Sequence, residues 1–584
     1  MTRSKTLASA ALFLALGACA TQPAASPPVA TSAAPAPSPV ALDSTPYGLF
    51  LAGRAARDEG QLSTAAVYFA RAAQDEGDPT YLKADAFHAA LESGDVTTAA
   101  ELAPSGADVA VADVRLAALV QGVEDLAEGQ GKAAYALLSG PSQGYPYKVP
   151  ALLLAPFAAA VAGDQANALA RPPLSGDSLA QFVADLNLAQ MSERLGKPQD
   201  SERAYKAMLA NGDPGGVVGE DYGAFLERRG RSAEAVPVYQ AALAVNPDDD
   251  GLRRDIARAQ KHGRPAPLPS LHEAASNALI IPAASLISQK QFELALIDLR
   301  LAVRLDPNND EGWLLVGDIM QSGDVEAARA AYERVGPNSE HYVTARGKLA
   351  FTYENTGDHD AALKLARETA AAVPQSRDAQ ITLANLLRDN DQYAESAAVL
   401  TRLIDAGGKP DWRLYYLRAS AYDQSGDSQK TEADLDAALK LDPDEPELLN
   451  FQGYFWIDRG EHLQDALAMV QRAVDADPQS SAMVDSLGWA YYRLGDFKSA
   501  VANLETAVTL DASVAQVNDH LGDAYWRVGR KTEAVFQWRR VLIQNPDPKL
   551  KASAEAKLAS PLGPDAGAPP IAPVGGPPPD TKTP

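Results

Sequence analysis

Catalysis requires a nucleophile, an acid–base pair or a bound metal, and the side chains able to supply them are thinly spread in this chain. The seven histidines, His88, His262, His272, His341, His359, His462 and His520, are scattered, with no HExxH pairing to set two imidazoles on one helical face. No glycine-rich phosphate loop and no nucleophile elbow stands out. The single cysteine, Cys19, closes an apolar stretch near the N-terminus, which suits it to anchoring. Carboxylates are abundant, but at helical spacing their ordinary role is to solvate a surface. This inventory predicts a binding protein, with no catalytic residue, no metal site and no cofactor.

The charge balance narrows what is bound. The 584 residues carry 52 Lys+Arg against 76 Asp+Glu, a formal charge of −24. Such a surface repels the phosphate backbone of nucleic acids and anionic lipid headgroups alike, and it favours solubility. Protein partners are left as the expected ligands. Alanine is plentiful and strand-forming residues are sparse, so very little sheet is expected.

The elements that would position a binding surface are repeats. Leu487-Gly488-x-x-Tyr491-x-x-x-Gly495, then Ala500, Leu504 and Ala507, recurs 34 residues later as Leu521-Gly522-x-x-Tyr525-x-x-x-Gly529, then Ala534, Trp538, Val541 and Pro546. Gly488 and Gly522 fall inside helices, where glycine costs about 1 kcal/mol against alanine and is kept where another group must approach closely. Gly495 and Gly529 end the first helix, and Pro546 stops the second. This period and these residue types resemble the tetratricopeptide repeat, a helical hairpin that buries its apolar face only by stacking on neighbours. The resemblance implies an all-α solenoid. With the two clear units as a ruler, about 13 or 14 hairpins are expected, faint between residues 109 and 169 and sharper from Ala295 onward.

In this repeat family the first helix of each hairpin lines the concave face. The resemblance therefore places Asn450, Tyr454, Asp485, Trp489, Tyr492, Asp519, Asp523 and Trp526 in a groove, with Arg493 and Arg527 beside them. Aromatics next to charges suit capture of a peptide or a partner helix. Packing between repeats is the alternative role for Trp489, Tyr492 and Trp526, and both readings stay open at this point. Trp538 is expected in the core.

The expected layout is a signal peptide over 1–18, a lipidated Cys19 with a Pro/Ala-rich tether over 19–46, a degenerate helical-repeat array over 47–262, a Pro-rich linker over 263–272, a tetratricopeptide array with a terminal helix over 273–559, and a disordered Pro/Gly-rich tail over 560–584. Arg3 and Lys5 precede a ten-residue apolar core, too short to span a bilayer, and Leu16-Gly17-Ala18-Cys19 resembles a bacterial lipobox. Ala20 after the cysteine implies, by resemblance, the outer membrane. A tether in extended form reaches about 80 Å. The whole layout is similar to outer-membrane lipoprotein adaptors that bring a periplasmic carboxyl-terminal processing protease to its substrates, cell-wall hydrolases among them. A scaffold for outer-membrane, pilus or cell-wall assembly is the alternative within the binding class, and a cell-wall-active enzyme is the remote one.

Overall fold

A computed structural model describes residues 45–559, apart from 76–79, 107, 175, 248 and 545. Cys19, the signal peptide and tether, and the 560–584 tail lie outside the described residues. Within them all regular structure is helical, from Pro46–Asp58 to Pro548–Ala559, and it forms fourteen hairpins with two single helices, Asp250–Gln260 and Pro548–Ala559. The expected all-α class and hairpin number hold. No described helix is long and apolar enough to cross a membrane.

Local sequence explains the hairpins. The first helix ends on a glycine in the left-handed region, as at Gly426 (φ +78°) and Gly495 (φ +85°). The aspartate that follows opens the second helix. Asp427 accepts from the Lys430 N–H and Asp496 from the Ser499 N–H, a cap that contributes about 1 kcal/mol. The mid-helix glycines are required by side chains of the facing helix. A Cβ on Gly488 would come within 2.6 Å of Leu504, and one on Gly522 within 2.5 Å of the Trp538 indole nitrogen. In the hairpin with one inserted residue, His462 takes the left-handed conformation (φ +46°) and its ring packs 4.9 Å from Trp456.

The chain divides into two compact units between Val373 and Pro374. The linker expected at 263–272 is a different place. The segment does cross without helix, from Gln260 to Leu271, but both of its flanks belong to the N-terminal unit. The physical reason lies in the next hairpin. In Phe292–Leu305 every residue from Ala295 to Leu305 except Arg304 is buried, Asp298 and Arg300 included, so the helix is enclosed on all sides. It packs against the first helices Thr80–Ser93 and Val111–Ala127, while its partner Leu271–Ser288 packs against Lys148–Val161 and Ser178–Arg194.

Polar contacts fix that hairpin in place. Arg304 forms a bidentate pair with Glu124, both bonds 2.8 Å. Arg300 Nε donates to the Glu92 carbonyl at 3.2 Å, and burial pulls its guanidinium down to about 10. The His272 ring meets the Leu126 carbonyl at 3.1 Å. Asp298 is enclosed on the same helix, where burial pushes its carboxyl up to about 8. The inner face of the N-terminal hairpins is thus filled by a hairpin of the same unit.

In the C-terminal unit the first helices of successive hairpins touch, Pro446–Arg459 with Ser481–Arg493 and the latter with Ala515–Arg527, whereas their second helices make at most marginal contact. First helices therefore form the inside of the curve. The last hairpin is closed by Pro548–Ala559 packed on Lys531–Ile543.

Candidate partner-binding face

The inner face of the C-terminal unit is carried by Pro446–Arg459, Ser481–Arg493 and Ala515–Arg527. Residues 485, 489, 492 and 493 recur at helical spacing, so one face of Ser481–Arg493 presents Asp485, Trp489, Tyr492 and Arg493 together. At its centre is a three-ring stack. The Trp489 indole lies 4.0 Å from the His520 ring at 9° and 4.6 Å from Tyr492 at 7°. Tyr454 comes to 6.5 Å from His520 on the neighbouring helix. Each such pair contributes about 0.5–1.5 kcal/mol beyond burial.

His520 joins the rings to the charges. Its Nδ1 is 2.9 and 3.0 Å from the two Asp485 oxygens, and its Nε2 is 2.8 Å from the Gln516 amide. Burial alone would lower the imidazole pKa, but the charge and hydrogen bond of Asp485, with Asp519 and Asp523, raise it above the usual histidine value. A second cluster forms at the far end. Lys557 of the terminal helix places Nζ 2.8 Å from both Asp519 and Asp523, and Asp523 also accepts from the Trp538 indole at 3.1 Å. Burial pushes the Asp523 carboxyl up to about 6 against the opposing pull of Lys557.

The ten residues expected in the groove separate into groups. Tyr454, Asp485, Trp489, Tyr492 and Arg493 are brought together, and Asp519 and Asp523 share Lys557. Trp526 leans away onto Trp538 (5.4 Å) beneath Lys531, and the Arg527 guanidinium stands over Phe497. Asn450 is half-buried on the first of the three helices. Trp489 and Tyr492 are only 4% and 0% exposed, so their rings pack between repeats. Their polar tips are enclosed with them. Trp489 Nε1, Tyr492 OH and Arg493 Nε have no hydrogen-bond partner, and neither do Asn450 Oδ1 and Asp519 Oδ1. Arg493, 8% exposed, makes one hydrogen bond, to the Asp458 carbonyl at 2.9 Å, and no ion pair among the described residues. A buried donor without a partner costs about 1–3 kcal/mol, so three on one helical face lower the stability of this stretch.

His520, Gln516 and Lys557 were not among the expected site residues. His520 was visible as one of seven scattered histidines, and only the 34-residue register would have set it beside Asp485 of the preceding hairpin. The letters Gly-x-Ser-x-Gly do occur once, as Gly140-Pro141-Ser142-Gln143-Gly144, which corrects the expectation that no such pattern exists. They lie in a turn between two helices with Ser142 exposed, not on the strand-to-helix turn of a nucleophile elbow. Among the described residues no group of three or more His, Cys, Asp or Glu is placed to hold a metal ion.

Comparison with known proteins agrees with the hairpin geometry. A family model described as tetratricopeptide repeat matches residues 348–411, 381–430, 416–481 and 486–548. A TPR repeat-containing protein of Pseudomonas aeruginosa is 26% identical over 181 residues, a match that spans 30% of each chain. Among solved structures the chain is similar to the Cut9–Hcn1 hetero-tetramer of APC/C, with 15% identity over 89% of this chain and 97% of that one (TM-score 0.38). It is also similar to MamA, with 21% identity over 29% of this chain and 96% of that one (TM-score 0.25). A third is YrrB, described as a TPR protein with an unusual peptide-binding site, with 15% identity over 30% of this chain and 89% of that one (TM-score 0.24). The fold is a tetratricopeptide-repeat α-solenoid, an architecture that serves as a scaffold for protein–protein interaction.

Proposed function

We propose that this protein is a non-catalytic lipoprotein scaffold of the bacterial cell envelope. It is anchored through Cys19 to the outer membrane, faces the periplasm, and captures protein segments on the inner face formed by Pro446–Arg459, Ser481–Arg493 and Ala515–Arg527. Its partners are a processing protease and that protease's cell-wall substrates, and holding both on one array raises their effective concentration for each other. The observation that carries the binding reading is the run of first helices along the inside of the curve, with Asn450 and Tyr454 half-buried on it. The anchor rests on the lipobox-like Leu16–Cys19 sequence, and the choice of partners on resemblance of layout.

Alanine at the enclosed rings would open cavities, so the test alters half-buried positions of the face. A pull-down with the anchored protein and mass spectrometry compares wild type with Asn450→Lys/Tyr454→Phe, which leaves the enclosed rings in place. Recovery of a protease with a wall hydrolase by wild type, and its loss in the variant at unchanged helicity, is the expected result. Equal recovery by both proteins removes this face from the reading, and recovery of assembly machinery alone replaces the partners. Cys19→Ser should release the protein from membranes, and its retention there would remove the anchor.

A further inference from the structure

The accessible part of the inner face lies just before the enclosed stack. Tyr416 stands 34 residues before Asn450, the repeat interval, and so takes the same place on the preceding first helix, Trp412–Gln424. Its ring meets Trp412 at 6.1 Å and Phe451 of Pro446–Arg459 at 5.5 Å, both edge-on. Trp412, Tyr416, Phe451 and Tyr454 are all half-buried, whereas Trp489 and Tyr492 are enclosed. The row across the two helices therefore keeps ring surface that an apolar side chain can cover.

Carboxylates border that row. Asp423 and Asp458 are exposed, and neither side chain makes a hydrogen bond or ion pair among the described residues. They stand close to one another and to Tyr454. Burial and then the Asp458 charge raise the Asp423 carboxyl, against the pull of Arg459. Burial and then the charges of Asp485, Asp458 and Asp423 raise the Tyr454 hydroxyl, against Arg493. The nearby cations are engaged elsewhere. Arg459 donates to Ser428 (2.6 Å) and pairs with Glu461 (3.4 Å), Arg413 lies over Trp412 and pairs with Asp411 (3.7 Å), and Arg493 is enclosed. Asp485 is already held by His520. What remains at the end of the aromatic row is uncompensated negative charge beside a phenol. A guanidinium suits it, because its planar fork of donors serves two carboxylates at once and sheds water onto aromatic surface more readily than an ammonium. We infer that this stretch takes a segment of a protein partner that carries an arginine between apolar residues. The guanidinium lies between Asp423 and Asp458 beside Tyr454, and the apolar side chains lie on Trp412, Tyr416 and Phe451. This rests on the binding reading above and names the chemistry of the partner.

The test keeps the full chain and uses short fluorescent peptides with a Leu-Arg-Leu or a Leu-Gln-Leu centre in a common Gly/Ser background. Wild type should bind the arginine peptide at least about tenfold more tightly, the effect of charge-assisted hydrogen bonds. Asp423→Asn/Asp458→Asn keeps the shapes of two exposed side chains, so circular dichroism should stay unchanged while the preference disappears. General attraction of a cation to an acidic chain would survive that change. Replacing the leucines of the peptide by serine should weaken binding to wild type and variant alike. Equal binding of both peptides by wild type, binding of neither, a preference that persists in the Asn variant, or displacement of the arginine peptide by calcium ions at constant ionic strength would each overturn the inference. Loss of capture by Asn450→Lys/Tyr454→Phe in the pull-down would still stand in those cases and leave the face to a partner of other chemistry. Equal recovery there removes the face itself, so the two failures are distinguishable.

Discussion

Between Thr80 and Arg194, four first helices turn their inner faces to the hairpin Leu271–Ser288 and Phe292–Leu305, which fills them. Between Pro446 and Arg527, three first helices turn theirs to one another's side chains, and polar tips are left unpartnered. The same hairpin thus serves two ends. Where the inner face is apolar and closed by Arg304–Glu124, it stores stability. Where it carries stacked rings and orphan donors, it gives up some stability, and that is the stretch proposed to bind. A repeat array does not bind along its whole length merely because it repeats, and the side chains on the first helices decide which stretch is free to do so.

Four substitutions would break or sharpen this contrast. The largest effect is expected from Leu299→Ala in the enclosed helix, where the side chain is fully buried. It should cost about 2–5 kcal/mol in the N-terminal unit. Hydrogen exchange resolved by segment should show the loss there and little change in 481–527. Glu124→Gln removes one side of the Arg304 pair and should cost about 1.5–3 kcal/mol, read as faster exchange in 292–305. If that segment stays fully protected, the pair is not what seals the face.

The third substitution concerns pH. Asp298 has its carboxyl raised from the usual 3.8 to about 8 by burial, so the folded state holds a proton that the unfolded state has lost. Its contribution is present below about pH 4 and is lost as pH rises through about 8. Asp298→Asn should flatten the decline of the urea midpoint of the N-terminal unit between pH 5 and 8, and an unchanged slope would show that other groups set it. The smallest stability change is expected from Tyr492→Phe. It keeps the ring and deletes a donor that has no partner, so folding should shift by no more than about 0.5 kcal/mol. A large loss of stability would mean that the hydroxyl has a role in packing.

Much of this was legible in the sequence, for physical reasons that differ along the chain. The 34-residue period from Ser481 to Ile543 was clear because each anchor there performs a packing task, as Gly522 does in admitting Trp538. The region from 109 to 169 was faint because its second helices are cut short. Gly131–Leu138 has eight residues and Gln165–Ala168 four, which leaves little room for the later anchors of the repeat. The enclosure of Phe292–Leu305 was not foreseen, because Asp298, Arg300 and Arg304 interrupt its apolar residues and read as a solvated stripe. In the candidate site, register places the row of residues on the first helices. The split of Trp526 and Arg527 from the rest was not visible, because it depends on which rotamer each long side chain takes. Lys557 could not be placed, since a terminal helix carries no repeat register to count from.

The contacts that close the N-terminal unit join residues far apart in sequence, 208 between Arg300 and Glu92 and 180 between Arg304 and Glu124. In the C-terminal unit Lys557 and Asp519 are only 38 apart. Loops of the first size must close before their contacts return any stability, and such topologies fold slowly. A chain emerging from its N-terminus would assemble the later hairpins one at a time, each on its predecessor. The earlier ones would wait, with apolar helix faces uncovered, until residue 305 had arrived. Over that interval the first half of the protein would depend on chaperones and the second half would not.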